Sequence, residues 1–157
     1  MNSDDLKELT NKVQGFIEKK GCVVPISVKV KPFPKKNEKI LALYRSMSQF
    51  KAKPIFWINE NLPKLMEEYD VEPYRYNDVV EDNMIHEYAH SIAEWAKKRD
   101  PDLADALQST FIDEEEFAEG FIDYVKDRTV KYTTSSYDRV MDKYCKSRFP
   151  EQEQEEE

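Results

Sequence analysis

With 157 residues, 39% hydrophobic and 36% charged, the chain carries enough apolar content for a real core. Its formal net charge is -8, of which Glu151 to Glu157 contribute -5 and leave -3 for the rest, so the concentrated positive charge that general nucleic-acid binding requires is missing. No stretch is long and apolar enough to span a membrane, Met1-Asn2-Ser3-Asp4-Asp5 lacks the basic and apolar regions of a secretory signal, and the well-separated Cys22 and Cys145 form no disulfide framework, which together predict a cytoplasmic protein.

Ser3 can cap a first helix in which Leu6, Leu9, Val13, Phe16 and Ile17 repeat at helical spacing, with Gly21 suited to its end. Extended segments follow at Val24 to Lys31, Ile40 to Arg45 and Ile55 to Ile58. Pro32, Pro34 and Pro54 between them favour antiparallel or edge arrangements over a buried parallel sheet. Lys29, Lys31, Lys35, Lys36 and Lys39 read as the wet face of a strand and protection against edge pairing; the alternative is a preference for acidic substrates.

A short helix is expected from Pro63 to Tyr69. The next helix is the informative one. Asn77 and Asp78 offer a cap, Val79 to Lys97 contains no Gly or Pro, and Val80, Met84, Ile85, Tyr88, Ala89, Ile92, Ala93, Trp95 and Ala96 cover more than one stripe, which predicts a largely buried helix. A Pro101-led helix, an acidic helix beginning near Asp113 and a last helix from about Tyr137 to Arg148 complete the order. Helix, three strands, then helices predicts an α+β domain over 1–149, with a short antiparallel or mixed sheet on the central helix. Residues 150–157 have nothing apolar to bury and read as a disordered acidic tail.

Both histidines of the chain fall on the central helix, in His86-Glu87-Tyr88-Ala89-His90. Residues i and i+4 of a helix lie one above the other, so two imidazoles can grip one ion. Glu87, one step round, can reach a metal-held water and take its proton. The run is the H-E-x-x-H arrangement of zinc metallopeptidases. A catalytic zinc usually takes three protein ligands, and the histidine count excludes a third imidazole. Metzincins are excluded too, because Ala93 and Ala96 stand where that class needs Gly and His. Cys22 and Cys145 are possible in chemistry but sit in no metal-spaced cluster. Carboxylate remains, and the stretch Asp113 to Phe121 supplies it.

On a helix, Phe111, Phe117, Ala118, Phe121, Ile122 and Val125 make an apolar face from which Glu116 points away. Glu115 and Glu119 lie along its edge, one turn apart. Glu114 points more directly into the apolar face, near the helix start, where a carboxylate can also complement the dipole. Glu114, Glu115 and Glu119 all stay open as the third ligand on this reading.

His86-Glu87-x-x-His90 followed by Glu115-x-x-x-Glu119 resembles the gluzincin pattern, and the run from Glu115 to Phe121 is similar to the E-x-F-A-E-x-F segment of anthrax-lethal-factor-like zinc peptidases. The resemblance covers about a quarter of the chain and implies a zincin-like fold, bound Zn2+, Glu115 as third ligand, and Glu119 as acceptor of a hydrogen bond from a ligating imidazole. The sequence departs from the pattern twice: Glu119 replaces the usual aspartate, and Gln108 stands where lethal-factor-like sites carry a tyrosine. The oxyanion donor is thus unassigned, with Tyr124, Tyr132 and Tyr137 as candidates. In size the chain also resembles intracellular ImmA-like peptidases, which implies a specific regulatory protein as substrate. The expected function is peptide-bond hydrolysis; the alternative is a zinc-binding but catalytically inactive interaction or regulatory module.

Overall fold

A computed structural model describes residues 3–21, 27–39, 42–45, 55–128 and 134–148. Cys22, Pro54, Tyr132 and the tail 150–157 lie outside the described residues. The chain groups into two compact units, one drawn from Met1–Gly15 and Val24–Tyr88, the other from Phe16–Val23 and Ala89–Glu157. Among the described residues, no helix is long and apolar enough to cross a membrane.

The first unit holds a three-stranded sheet of β1 (Ser27–Lys31), β2 (Ala42–Arg45) and β3 (Ile55–Asn59) in the order β1-β3-β2. The sheet is mixed. β3 runs antiparallel to β2, with Ala42 opposite Ile58, and parallel to β1, with Ser27 opposite Ile55. The parallel strand β1 is an edge, where a following proline such as Pro32 interrupts no ladder. At the far end of β3 the buried Asn59 closes the strand: its amide donates to the Glu38 carbonyl, and its side-chain oxygen accepts from the Asn61 N–H, each at 3.1 Å. Two of the early lysines are engaged here. Lys31 Nζ stands 3.1 Å from the centroid of the Trp57 ring, and Lys39 pairs with Glu68 at 2.9 Å, so only part of that basic run is a plain wet face.

Helix α1 (Ser3–Glu18) buries Leu6, Leu9, Val13 and Ile17 of the expected stripe and leaves Phe16 half-buried, and the chain leaves it through Gly21 at φ 103°. Helix α2 (Leu62–Glu68) matches its expected place with proline in its first turn. Helix α3 spans Tyr76–Arg99 and starts earlier than predicted. A 3-10 turn at Pro73–Arg75 runs directly into it, so Asn77 and Asp78 sit inside its first turn rather than capping it. Asp78 there still complements the positive end of the dipole. Val80, Met84, Ile85, Tyr88, Ala89, Ile92, Ala93 and Ala96 are all buried, as the apolar pattern predicts, while Trp95 is half-buried. Buried Glu81 on α3 is held by Lys12 of α1 at 3.2 Å, both within the first unit.

The second unit is helical. Asp100 caps α4 (Pro101–Thr110) by accepting from the Leu103 N–H at 3.1 Å. Asp113 caps α5 (Glu114–Val125) by accepting from the Glu116 N–H at 2.8 Å. Helix α6 (Thr134–Arg148) begins three residues before the expected Tyr137. Phe111, Phe117, Phe121, Tyr124 and Tyr137 form one aromatic cluster, with neighbouring centroids 5.0 to 6.3 Å apart.

Gly120 makes the approach of α6 to α5 possible, because a Cβ there would run into the Tyr137 hydroxyl and lie 3.1 Å from its Cζ. Tyr137 is fully buried, with its ring packed among Phe111, Phe117, Phe121 and Tyr124. Overpacking in Gly120→Ala should cost about 1–3 kcal/mol, offset by a helix-propensity gain of about 1 kcal/mol, and the net effect should be a destabilisation of up to about 2 kcal/mol. Urea unfolding checks this. Tyr137→Phe in the Gly120→Ala background should recover part of the loss, whereas an unchanged midpoint for Gly120→Ala alone would contradict the packing argument.

Candidate metal centre

The site is built on α3. One unbroken helix carries His86, Glu87 and His90, so the spacing of the two imidazoles is set by helix geometry. All three side chains are about four-fifths buried, with 18%, 17% and 17% exposure respectively. Glu87 Oε1 lies 3.4 Å from His86 Nδ1.

The third element is the start of α5, within the same unit as His90. Because Asp113 caps this helix, Glu114 and Glu115 are its first two residues, on adjacent positions of the first turn. They reach opposite sides of one imidazole. Glu115 Oε1 lies 2.8 Å from His90 Nε2, and Glu114 Oε2 lies 2.6 Å from His90 Nδ1. The other Glu114 oxygen accepts from Lys97 Nζ at 2.8 Å. Burial pushes the Glu114 carboxyl up, but the hydrogen bonds from Lys97 and His90 outweigh it and hold the group below the usual carboxylate range.

Among the described residues, His86, His90 and Glu115 are a group able to hold a metal ion, each offering a donor atom within 4.8 Å of the others. Two imidazole nitrogens and a carboxylate are the donor set of a catalytic zinc site with one position left over. The 2.8 Å contact between His90 Nε2 and Glu115 Oε1 is one that a shared ion would replace. The donors therefore fit zinc.

The family resemblance implied Glu119 as the acceptor of a hydrogen bond from a ligating imidazole, without saying which imidazole. The carboxylate on His90 Nδ1 is Glu114, and Glu119 lies exposed one turn further along α5. The signal for Glu114 was its direction into the apolar face, which the dipole argument had obscured. Lys97 was missed altogether, although it follows His90 by seven residues and so shares its side of the helix. Cys145 lies elsewhere, with its thiol 3.7 Å from the Gly21 carbonyl. Of the tyrosines considered as oxyanion donors, Tyr137 is stacked in the aromatic cluster with no exposed surface. Tyr124 donates to Asp138 at 2.5 Å, and burial together with that carboxylate pushes its phenol well up. Both are committed to the core of the second unit. Comparisons with protein-family models, with curated proteins and with solved structures gave no match, so the reading of this site stands on its geometry and chemistry alone.

Proposed function

We propose that the protein is a zinc-dependent peptidase of gluzincin type that hydrolyses a specific protein substrate. The observation that carries this is the convergence of His86, His90 and Glu115 beside an acid, Glu87, on the same helix as the two histidines. Zinc, when bound, supplies Lewis acidity toward a carbonyl and lowers the pKa of a water it holds. His86, His90 and Glu115 are its ligands. Glu87 takes the proton from the attacking water and passes it to the departing amine. Glu114 holds Nδ1 of His90, which fixes the tautomer and leaves Nε2 for the metal. Glu119 is assigned to accept a hydrogen bond from a ligating imidazole. The reading treats 1–149 as one zincin-like domain, since the ligand-bearing helix α3 contributes residues to both compact units.

The test is hydrolysis of a mixed peptide library by protein carrying one zinc per chain. Cleavage that stops with a chelator and returns with zinc is expected. A second reading, a zinc-binding but inactive interaction or regulatory module, is favoured by the burial of Tyr124 and Tyr137, which leaves the oxyanion donor unassigned. It predicts stoichiometric zinc and no cleavage of any peptide.

A further inference from the structure

The lysine run that the metal centre leaves unused lies on the sheet of the first unit. Residues 27–36 hold Lys29, Lys31, Lys35 and Lys36 and no acid, in a chain whose net charge is -8. Among the described residues β1 pairs with β3 alone, so its other side is an open edge. The Lys31 carbonyl accepts from the Glu60 N–H at 3.0 Å on the β3 side. Backbone groups of successive residues point to alternate sides of a strand, so those of Val28 and Val30 face the open edge. Pro32, next in that alternation, has no N–H and ends the row.

The two faces beside that edge differ. Val30 lies opposite Ile58, which is 1% exposed, yet Val30 is 48% exposed: β3 covers one flank of its side chain and the other borders the open edge. The opposite face carries the ammonium groups. Lys29 is exposed, and Lys31 is held over the Trp57 ring at 3.1 Å, which orders it before any partner arrives. Such lysines repel a second copy of β1 and so guard against self-pairing, but they attract an acidic strand.

We propose that the open edge of β1 docks an extended segment of a partner protein in which acidic and apolar residues alternate, added to the sheet as a further strand. Antiparallel pairing, the more stable mode, lets its backbone bond to Val28 and Val30. An apolar side chain opposite Val30 covers the exposed valine, and the acids on either side of it meet Lys29 and Lys31. The chain's own tail, Glu151 to Glu157, supplies acids but no apolar residue and does not fit. None of the metal donors belongs to this sheet, so docking requires no zinc and stands apart from the peptidase reading.

The probes are short capped peptides with the central runs Glu-Val-Glu-Val-Glu, Lys-Val-Lys-Val-Lys and Glu-Ser-Glu-Ser-Glu, titrated into the full-length protein, zinc-loaded and zinc-free, and followed by amide NMR. The first should bind on the order of ten-fold more tightly than the second at low salt, from two opposite-charge pairs in place of two like-charge ones, and the gap should narrow in molar salt. It should bind about five-fold more tightly than the serine peptide, the gain from covering Val30. The Val28 and Val30 amides should shift and exchange more slowly with solvent. Lys29→Glu combined with Lys31→Glu should turn the preference toward the lysine peptide. Val30→Pro removes an outward N–H without touching the β3 ladder and should abolish binding with the melting temperature little changed; if that variant unfolds, the charge reversal decides. Absence of either preference, shifts confined to other amides, undiminished binding to folded Val30→Pro, or no binding by any probe would overturn the docking edge. So would binding that vanishes when zinc is removed, because the peptide would then sit at the metal centre.

Discussion

Glu87→Gln is expected to lower kcat for peptide hydrolysis by about 10²–10⁴-fold, the usual worth of a positioned general base, with KM and zinc content little changed. Glutamine keeps the size of the side chain and its place on α3 but cannot take a proton. Glu87 is suited to the task because it sits beside His86 at 3.4 Å, is only 17% exposed and lies one position round the helix from the ligand face. A loss confined to kcat, with stoichiometric zinc in the variant, separates a chemical role from a binding or folding one. Activity within a few-fold of wild type would remove Glu87 from the mechanism.

The second large effect concerns metal retention. Glu115→Ala should lose zinc on dialysis, because two imidazoles alone make an incomplete set. Glu114→Ala should keep one zinc per chain with affinity reduced about 10–100-fold, the typical effect of removing a carboxylate that orients a ligating histidine. The distinction follows from how the two acids are engaged. Glu114 has one oxygen on His90 Nδ1 and the other on Lys97, whereas Glu115 is 63% exposed and faces Nε2, the nitrogen left for a metal. Elemental analysis of the dialysed variants reads the outcome directly. Zinc should also raise the melting temperature of wild type and Glu114→Ala but not of Glu115→Ala. If Glu114→Ala loses its zinc while Glu115→Ala keeps it, the ligand assignment must be exchanged.

The helices were legible in the sequence to within a few residues, and the misses have local causes. The start of α3 was misplaced because Asn77-Asp78 looks like a cap, whereas the Pro73–Arg75 turn had already set the backbone on a helical course. The strands were found, but neither their order nor the parallel pairing of β1 with β3 follows from alternation, which records faces and not neighbours. The place of Glu114 on His90 Nδ1 was not legible for a similar reason. A helical wheel gives the direction of each side chain relative to its own axis and says nothing of what stands opposite.

What the sequence determined by itself is whatever depends on a single element. The His86 and His90 pairing with Glu87 beside it follows from i to i+4 geometry, and the burial of α3 follows from an apolar pattern running all round the helix. The Asp100 and Asp113 caps follow from short-range hydrogen bonding. Tertiary structure decided everything that needs two elements at once: Glu114 and Glu115 on opposite nitrogens of His90, Lys97 behind Glu114, and Gly120 beneath Tyr137. The physical reason is range. Backbone periodicity and capping are set within a few residues, while the meeting of side chains from separate helices depends on how those helices pack, a property of the summed contacts of the core that no single segment encodes.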